Sequence, residues 1–351
     1  MSENYSRELL IKMNQLSERF LQFAKKECRG SSELYEYLSM QIAQDDEVLY
    51  LCEHVQKGQP VPNLLFGAVH YLLLKGKDHT LKEYYQSLVK EPKSIECSFP
   101  IFKEFCMTFK EEVISILQTK LVQTNEVRRC AYLYPAFCYI YERMKKPLAL
   151  VEIGTSAGLQ LLWDQYSYSY GTGTTYGNRS SNVHITSEIR SSYDPLLFLT
   201  APPVTQRIGL DLHVNDVSNE ENFLWLKALI WPEHNERREL FDKAAQYVKD
   251  FPIKFIEGDG VKLILNISSQ IPSDSVLCIF HTHVANQIPL EGKKDLFENI
   301  RVIGENRDVV HLYNNMTDGD LHLDYFMNGI KYTHNVGKTD GHGRWFEWRL
   351  E

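Results

Sequence analysis

The sequence predicts an α/β fold: a helical N-terminal region over residues 1–146, then a mostly parallel sheet covered by helices over residues 147–351. Three observations predict it. Apolar residues recur at helical steps through the first part, and few alternating β-branched runs occur before residue 148. After Lys145-Lys146-Pro147, short apolar runs suited to buried strands alternate with helical stretches. The first of those runs leads directly into a glycine-rich turn.

Taken in order, Leu9, Met13, Leu16, Phe20 and Phe23 form one helical face, and Gly30 offers a stop. Leu34, Leu38 and Ile42 begin a second helix, and residues 63–74, 81–88 and 102–117 continue the pattern. Leu148-Ala149-Leu150-Val151-Glu152-Ile153 reads as a buried parallel strand, Gly154-Thr155-Ser156-Ala157-Gly158 as the turn, and 159–163 as the start of a helix. Residues 166–206 form an insertion that opens on a stretch rich in Tyr, Gly, Ser and Thr, with a strand expected at 183–189. Arg207-Ile208-Gly209-Leu210-Asp211-Leu212 is the next core strand. Helical content follows over 220–249, interrupted at Pro232. Further strands are expected at 253–256, 276–280 and 309–313, with a helix at 290–303. Residues 331–336 and 344–349 read as a closing pair joined by the turn-rich 337–343.

The chain has 351 residues, 43% apolar and 24% charged, the balance of a globular protein with a large core. A net charge of −8 at pH 7 gives no general attraction to nucleic acid or anionic membrane. The first residues lack the apolar run of a secretory signal, and the most apolar window, 64–74, is too short to span a bilayer. The seven cysteines are scattered, with no Cys-x-x-Cys, as expected of reduced thiols buried as small hydrophobes. A cytoplasmic protein is expected.

A glycine turn between strand and helix lets a ligand approach the backbone and the free N–H groups of a helix start. A dinucleotide fingerprint would need glycines at 154, 156 and 159, but the residues are Gly154, Ser156 and Leu159. The pattern Glu152-x-Gly154-x-Ser156-x-Gly158 instead resembles the first motif of class I S-adenosylmethionine-dependent methyltransferases, with Ser156 in place of the middle glycine. Asp211 and Asp259 follow in the order in which that superfamily places acids at the ends of its second and third strands. The resemblance implies a Rossmann-like domain. Glu152, Gly154, Ser156 and Gly158 would lie at the methionine part, Asp211 would hold the ribose hydroxyls, and Asp259 would lie near the adenine. A carboxylate suits a diol because it accepts two hydrogen bonds. Gly158 and Asp211 lie much further apart than the ~20 residues of a simple βαβ unit, which requires the insertion and makes Glu188 a rival for the ribose.

A second resemblance rests on Thr124-Asn125-Glu126-Val127-x-Arg129-Cys130, on 147–159, on Gly209-Leu210-Asp211 and on Trp225-Leu226-x-Ala228-Leu229-Ile230-Trp231-Pro232-Glu233. These are similar to a bacterial family known as domain of unknown function 2332, over nearly the whole chain. The resemblance carries no established activity. It implies that 124–130 belongs with the nucleotide site, with Asn125 and Arg129 as candidate contacts.

His281 and His283 follow the fourth strand of the sheet, where methyltransferases meet the methyl acceptor, and they are the candidate general bases. On a continuing strand their side chains would face opposite ways, which argues against a metal site, and no metal is expected. Trp225, Trp231 and the tyrosines at 166, 168 and 170 are candidates for an acceptor pocket or for core packing. The Asp/Asn-Pro-Pro-Tyr signature of amino-group methyltransferases is absent after the fourth strand. The expected function is S-adenosylmethionine-dependent methyl transfer to a small molecule. The alternatives are a non-catalytic nucleotide-binding module and an NAD(P)-dependent oxidoreductase.

Overall fold

The computed structural model describes residues 2–191 and 193–351, with side chains from residue 10 onward. Met1, Ser192 (inside the expected insertion) and the side chain of Leu9 lie outside the described residues. The chain divides into two compact units, Met1–Thr124 with Asn219–Arg238 and Asn125–Ser218 with Glu239–Glu351.

The first unit is helical: α1 (Ser2–Phe23), α2 (Glu33–Ile42), α3 (Asp46–Cys52), α4 (Val61–Leu74), α5 (Ser98–Thr108) and α6 (Lys110–Thr119). The α1 face carries Leu16, Phe20 and Phe23 into the core. Phe66 on α4 is the hub: the Tyr35 ring stacks on it at 4.1 Å, with Phe20, Phe23 and Phe102 around it. Helix α4 is apolar all round and nearly wholly buried, as a core helix should be. The start of α2 is capped by the Ser32 hydroxyl, and the Glu233 carboxylate accepts from that hydroxyl and from the Leu34 N–H. The single helix expected over 102–117 is two helices, because Phe109 leaves helical geometry (φ −106°, ψ 31°). The helix expected at 81–88 is a 3-10 turn, Thr80–Tyr84.

Helix α7 (Cys130–Met144) belongs to the second unit, and α8 (Glu220–Ala228) to the first. The compositional change at residue 147 is therefore not the structural division, which falls at 124/125. Helix α7 reads like the helices before it but forms a layer on the sheet. Its Phe137 stacks on Trp163 at 4.6 Å and meets Phe280 edge-on.

The second unit is built on β1 (Leu148–Ile153), with β2 (Ser167–Ser169), β3 (Thr175–Gly177), β4 (His184–Thr186), β5 (Glu188–Ile189), β6 (Val204–Asp211) and β7 (Lys254–Glu257) following. Then come β8 (Val276–His281), β9 (Val309–Tyr313), β10 (Leu321–Met327), β11 (Ile330–Gly337) and β12 (Trp345–Phe346). The main sheet has seven strands in the order β11-β10-β9-β8-β1-β6-β7. Five are parallel, and β10 runs antiparallel to both of its neighbours. From β1 the chain moves outward one way through β6 and β7, then crosses to β8 and moves the other way. The order therefore reverses between β1 and β8, and in open α/β sheets ligands bind outside the carboxyl ends at such a point. All six residues of β1 are buried, as a central parallel strand requires. Helix α9 (Asn235–Asp250) precedes β7, α10 (Gly260–Gln270) links β7 to β8, and α11 (Leu290–Gly304) links β8 to β9. Ile264 and Ile267 of α10 and Leu296, Ile300 and Ile303 of α11 pack with Ala149, Val151 and Ile153 on one face of the sheet.

Two further expectations are corrected. The helix after the glycine turn is a kinked 3-10 segment, Leu159–Gln165, with Leu162 out of helical geometry. Its carbonyls are taken by side chains instead: Tyr166 Oη donates to Leu159 O, Tyr168 Oη to Trp163 O and Arg207 Nε to Leu161 O. The expected closing pair omits β10. Strand β11 pairs along its length with β10 through a turn at Asn328-Gly329, where φ is 52° and 76°. Only its end, from Val336, continues into contact with 345–349, through Glu347 N–H to Lys338 O and Arg349 N–H to Val336 O. In the insertion, β2 pairs with β3 and β4, and β5 pairs with β12.

Candidate functional site

The turn after β1 holds three consecutive alternate residues in the left-handed region: Gly154 (φ 74°), Ser156 (φ 49°) and Gly158 (φ 75°). The free N–H groups expected there are all engaged within the protein. Those of Gly154 and Thr155 donate to Leu210 O, and that of Gly158 to Thr155 O. Ser156 N–H donates to Asp211 Oδ2 at 2.7 Å, and Ala157 N–H to Asn125 Oδ1 at 3.3 Å. Ser156 is a serine where a glycine would be unstrained, and its hydroxyl has a role no glycine could fill. It accepts from Asn125 Nδ2 and Asn215 Nδ2, each at 3.0 Å, while Asn215 N–H donates to Ser156 O. The outer side of Gly154 is covered by Val284, since a Cβ there would come within 2.4 Å of its methyl. A Cβ on Gly158 would strike Phe255 at 2.9 Å.

The acids separate into different environments. Glu152, 3% exposed, accepts from Thr155 Oγ1 at 2.7 Å, and burial pushes its carboxyl up to about 8. Asp211 ends β6, and its second oxygen accepts from His213 N–H at 3.0 Å. Asp259 lies on the same edge, two residues beyond Glu257, which is in register with Asp211. Its carboxylate caps α10 by accepting from Val261 N–H at 3.0 Å. Glu188 is exposed on β5 and paired with Arg190. The turn, Asp211 and Asp259 thus share the carboxyl edge, and Glu188 is occupied elsewhere.

His281 is fully buried, with its Nε2 3.0 Å from His311 Nε2 and its Nδ1 without a partner. Burial holds its imidazole down at about 3. It has no exposed face to offer an acceptor. His283 departs from the strand into left-handed geometry (φ 63°), so the alternation expected for His-x-His does not apply. Its N–H donates to Asn314 Oδ1 at 2.7 Å, and its Nε2 is buried without a partner. Burial, then the charge of Arg129, pulls its imidazole down to about 3.

Segment 125–129 ties these parts together. Asn125 holds the turn. Arg129 Nε donates to Gly341 O at 3.0 Å and Nη1 to Thr282 Oγ1 at 3.3 Å, at the end of β8. Glu126, 2% exposed, lies 3.0 Å from His342 Nδ1 through Oε2. Gln160 joins Thr282 to Glu126 O, through Thr282 Oγ1 to Gln160 Oε1 and Gln160 Nε2 to Glu126 O. Sequence reasoning missed Glu126, Gln160, Asn215, Thr282, Asn314 and His342 as site residues. Only Glu126 carried a signal, inside the 124–130 motif. A half-exposed imidazole oriented by a buried carboxylate is the arrangement of a proton acceptor.

The aromatic candidates are in cores. Trp225 is buried in the helical unit, where its Nε1 donates to Leu121 O at 2.8 Å, and Trp231 packs against Phe23 and Tyr35 in the same unit. The hydroxyls of Tyr166 and Tyr170 are spent on Leu159 O and Ala131 O. All seven cysteines are free and six are buried. Among the described residues, no group of three His, Cys, Asp or Glu side chains is arranged to hold a metal ion, and no helix is long and apolar enough to cross a membrane.

No curated protein and no solved structure matches the chain. A family described as "Uncharacterized protein conserved in bacteria (DUF2332)" matches residues 17–348, and the chain belongs to that family, domain of unknown function 2332.

Proposed function

We propose that the second unit is a Rossmann-like domain that binds S-adenosylmethionine and transfers its methyl group to a small-molecule acceptor. One observation carries the reading. The acid that ends β6, Asp211, meets the glycine turn that follows β1, at the carboxyl edge of five parallel strands whose order reverses between β1 and β8.

The donor set fits such a group at its acids rather than at the turn. Asp211 places a carboxylate at the carboxyl end of β6, the group type that accepts hydrogen bonds from a ribose diol. Asp259 stands on the same edge with its side chain 44% exposed. When bound, S-adenosylmethionine supplies an electrophilic methyl group on sulfur. Alignment of the acceptor would then be the main task of the protein. His342, oriented by Glu126, would take the acceptor's proton in preference to His281 or His283.

A second reading, a nucleotide-binding module without catalysis, is favoured by the burial of His281 and of His283 Nε2, the two candidate bases. Calorimetric titration with S-adenosylmethionine and S-adenosylhomocysteine tests both. Heat with either, lost in Asp211→Ala, supports the cofactor. Absence of heat in folded protein rejects it, and a parallel titration with NAD and NADP tests the oxidoreductase alternative. Turnover that falls at least 100-fold in His342→Gln, with cofactor heat retained, separates the enzyme from the module.

A further inference from the structure

We propose that Arg129, His283 and Asn314 form a subsite for the carboxylate of a small-molecule ligand, at the carboxyl ends of β8 and β9. The inference deepens the function proposed above by naming a chemical class. It rests on that reading only for the chemistry after binding, not for binding itself.

Arg129 is 6% exposed, and among the described residues no carboxylate lies within ion-pairing distance of it. Its guanidinium meets neutral oxygens only: Gly341 O at 3.0 Å, Thr282 Oγ1 at 3.3 Å and Thr282 O at 3.5 Å. Those contacts use Nε and Nη1, which leaves the two N–H groups of Nη2 for something else. A guanidinium does not escape burial by losing its proton, so an enclosed one calls for a compensating anion.

The acids of the region are committed elsewhere. Asp340 pairs with Arg344 through both oxygens. Glu126 faces His342. Glu152 accepts from Thr155 Oγ1 at 2.7 Å and makes no ion pair with Arg129. Two further polar side-chain atoms of this region have no partner. His283 Nε2 and Asn314 Nδ2 are both buried and unbonded. Asn314 is joined to His283 through its Oδ1, and His283 Cε1 lies 3.9 Å from where a Cβ on Gly341 would stand, the residue whose carbonyl Arg129 bonds. One fixed positive charge with neutral donors around it matches a monoanion, and the planar fork of Arg matches a carboxylate. A phosphate dianion would leave a buried excess of negative charge.

The test is thermal unfolding of the full chain at pH 7 and constant ionic strength, with sodium propionate, phosphate or chloride. Propionate at ~100 mM should raise Tm by about 2 °C or more over chloride. The rise should vanish in Arg129→Met and shrink in His283→Gln, which keeps the guanidinium and serves if the first variant is unfolded. Without propionate, Arg129→Met should unfold no earlier than the wild type, because it removes an uncompensated charge; a purely structural arginine would give a large fall. No selective propionate effect, or the same effect in both variants, overturns the subsite, and a larger shift with phosphate overturns the carboxylate class. Repeating the titration with S-adenosylmethionine distinguishes the sources. Additive shifts place the carboxylate on the acceptor, and competition places it on the cofactor. An Arg129-dependent propionate shift with no response to S-adenosylmethionine keeps the subsite and rejects the methyl-transfer reading.

Discussion

The carboxylate of Asp211, at the end of β6, accepts the main-chain N–H of Ser156, in the turn after β1, at 2.7 Å. Two neighbouring strands are thereby joined at their carboxyl ends by a charge-assisted hydrogen bond, with a second bond from His213 N–H to the other oxygen. Asp211→Ala leaves both N–H groups without this acceptor and should destabilise the second unit by roughly 1.5–3 kcal/mol. Asp211→Asn, which keeps one acceptor oxygen, should lose less. Urea unfolding followed by fluorescence orders the two variants. Equal stability of Asp211→Ala and wild type would mean that the bond does not hold the turn.

Gly154→Ala should be destabilising for two separable reasons. The left-handed backbone costs about 1–2 kcal/mol for any L side chain. The new methyl would lie 2.4 Å from Val284, an overlap worth roughly 1–3 kcal/mol more. Val284→Ala should recover only some of the second part, because its Cβ stays 2.7 Å from the new methyl, and none of the first. A double-mutant cycle in denaturant measures the split, and zero coupling would contradict the packing of Val284 on the turn.

Acid should unfold the second unit through its buried imidazoles. Burial holds His281 at about 3 and His311 well below the ordinary 6.5. Below pH 6.5 the unfolded chain binds protons that the folded core refuses, so stability present above 6.5 is lost as pH falls toward 3. Each group contributes a slope of about 1.4 kcal/mol per pH unit in that window. His311→Gln should flatten the profile by that amount. An unchanged slope in unfolding curves between pH 4.5 and 6.5 would place the titrating groups elsewhere.

Glu152 acts in the opposite direction. Its folded carboxyl titrates at about 8 against an ordinary 4.5. The folded state keeps a proton that the unfolded state has released, so its contribution is full below 4.5 and is lost as pH rises through 8. The loss is about 1.4 kcal/mol per pH unit. Glu152→Gln, neutral at every pH, should remove this decline and gain stability relative to wild type from pH 6.5 to 8. An identical decline in the variant would show that Glu152 is ionised in the folded protein.

Much of the core was legible in the residues. The run Leu148 to Ile153 is the central strand, and the acid-ended run at 207–211 is its neighbour, because buried parallel strands need continuous apolar residues and a polar group where they emerge. Strand β10 also had a signal that went unread: Leu321 to Met327 stands beside Asn328-Gly329, a pair suited to a two-residue hairpin. The 3-10 segment after the turn had no such signal. Its shape depends on hydroxyls of Tyr166 and Tyr168 and on Arg207, side chains that helical periodicity does not count.

By itself the sequence determined most of the core strands and the longer helices, and that a glycine turn and two acids follow three strands in order, since periodicity and turn chemistry are local. Only the tertiary structure decided that Glu126 faces His342 across 216 residues, that His281 is spent inside the core, and that Arg129 is enclosed beside His283 without a carboxylate. Those outcomes depend on burial and on partners distant in the chain. Burial sets whether an ionisable group is charged, and the partner sets what it can bind.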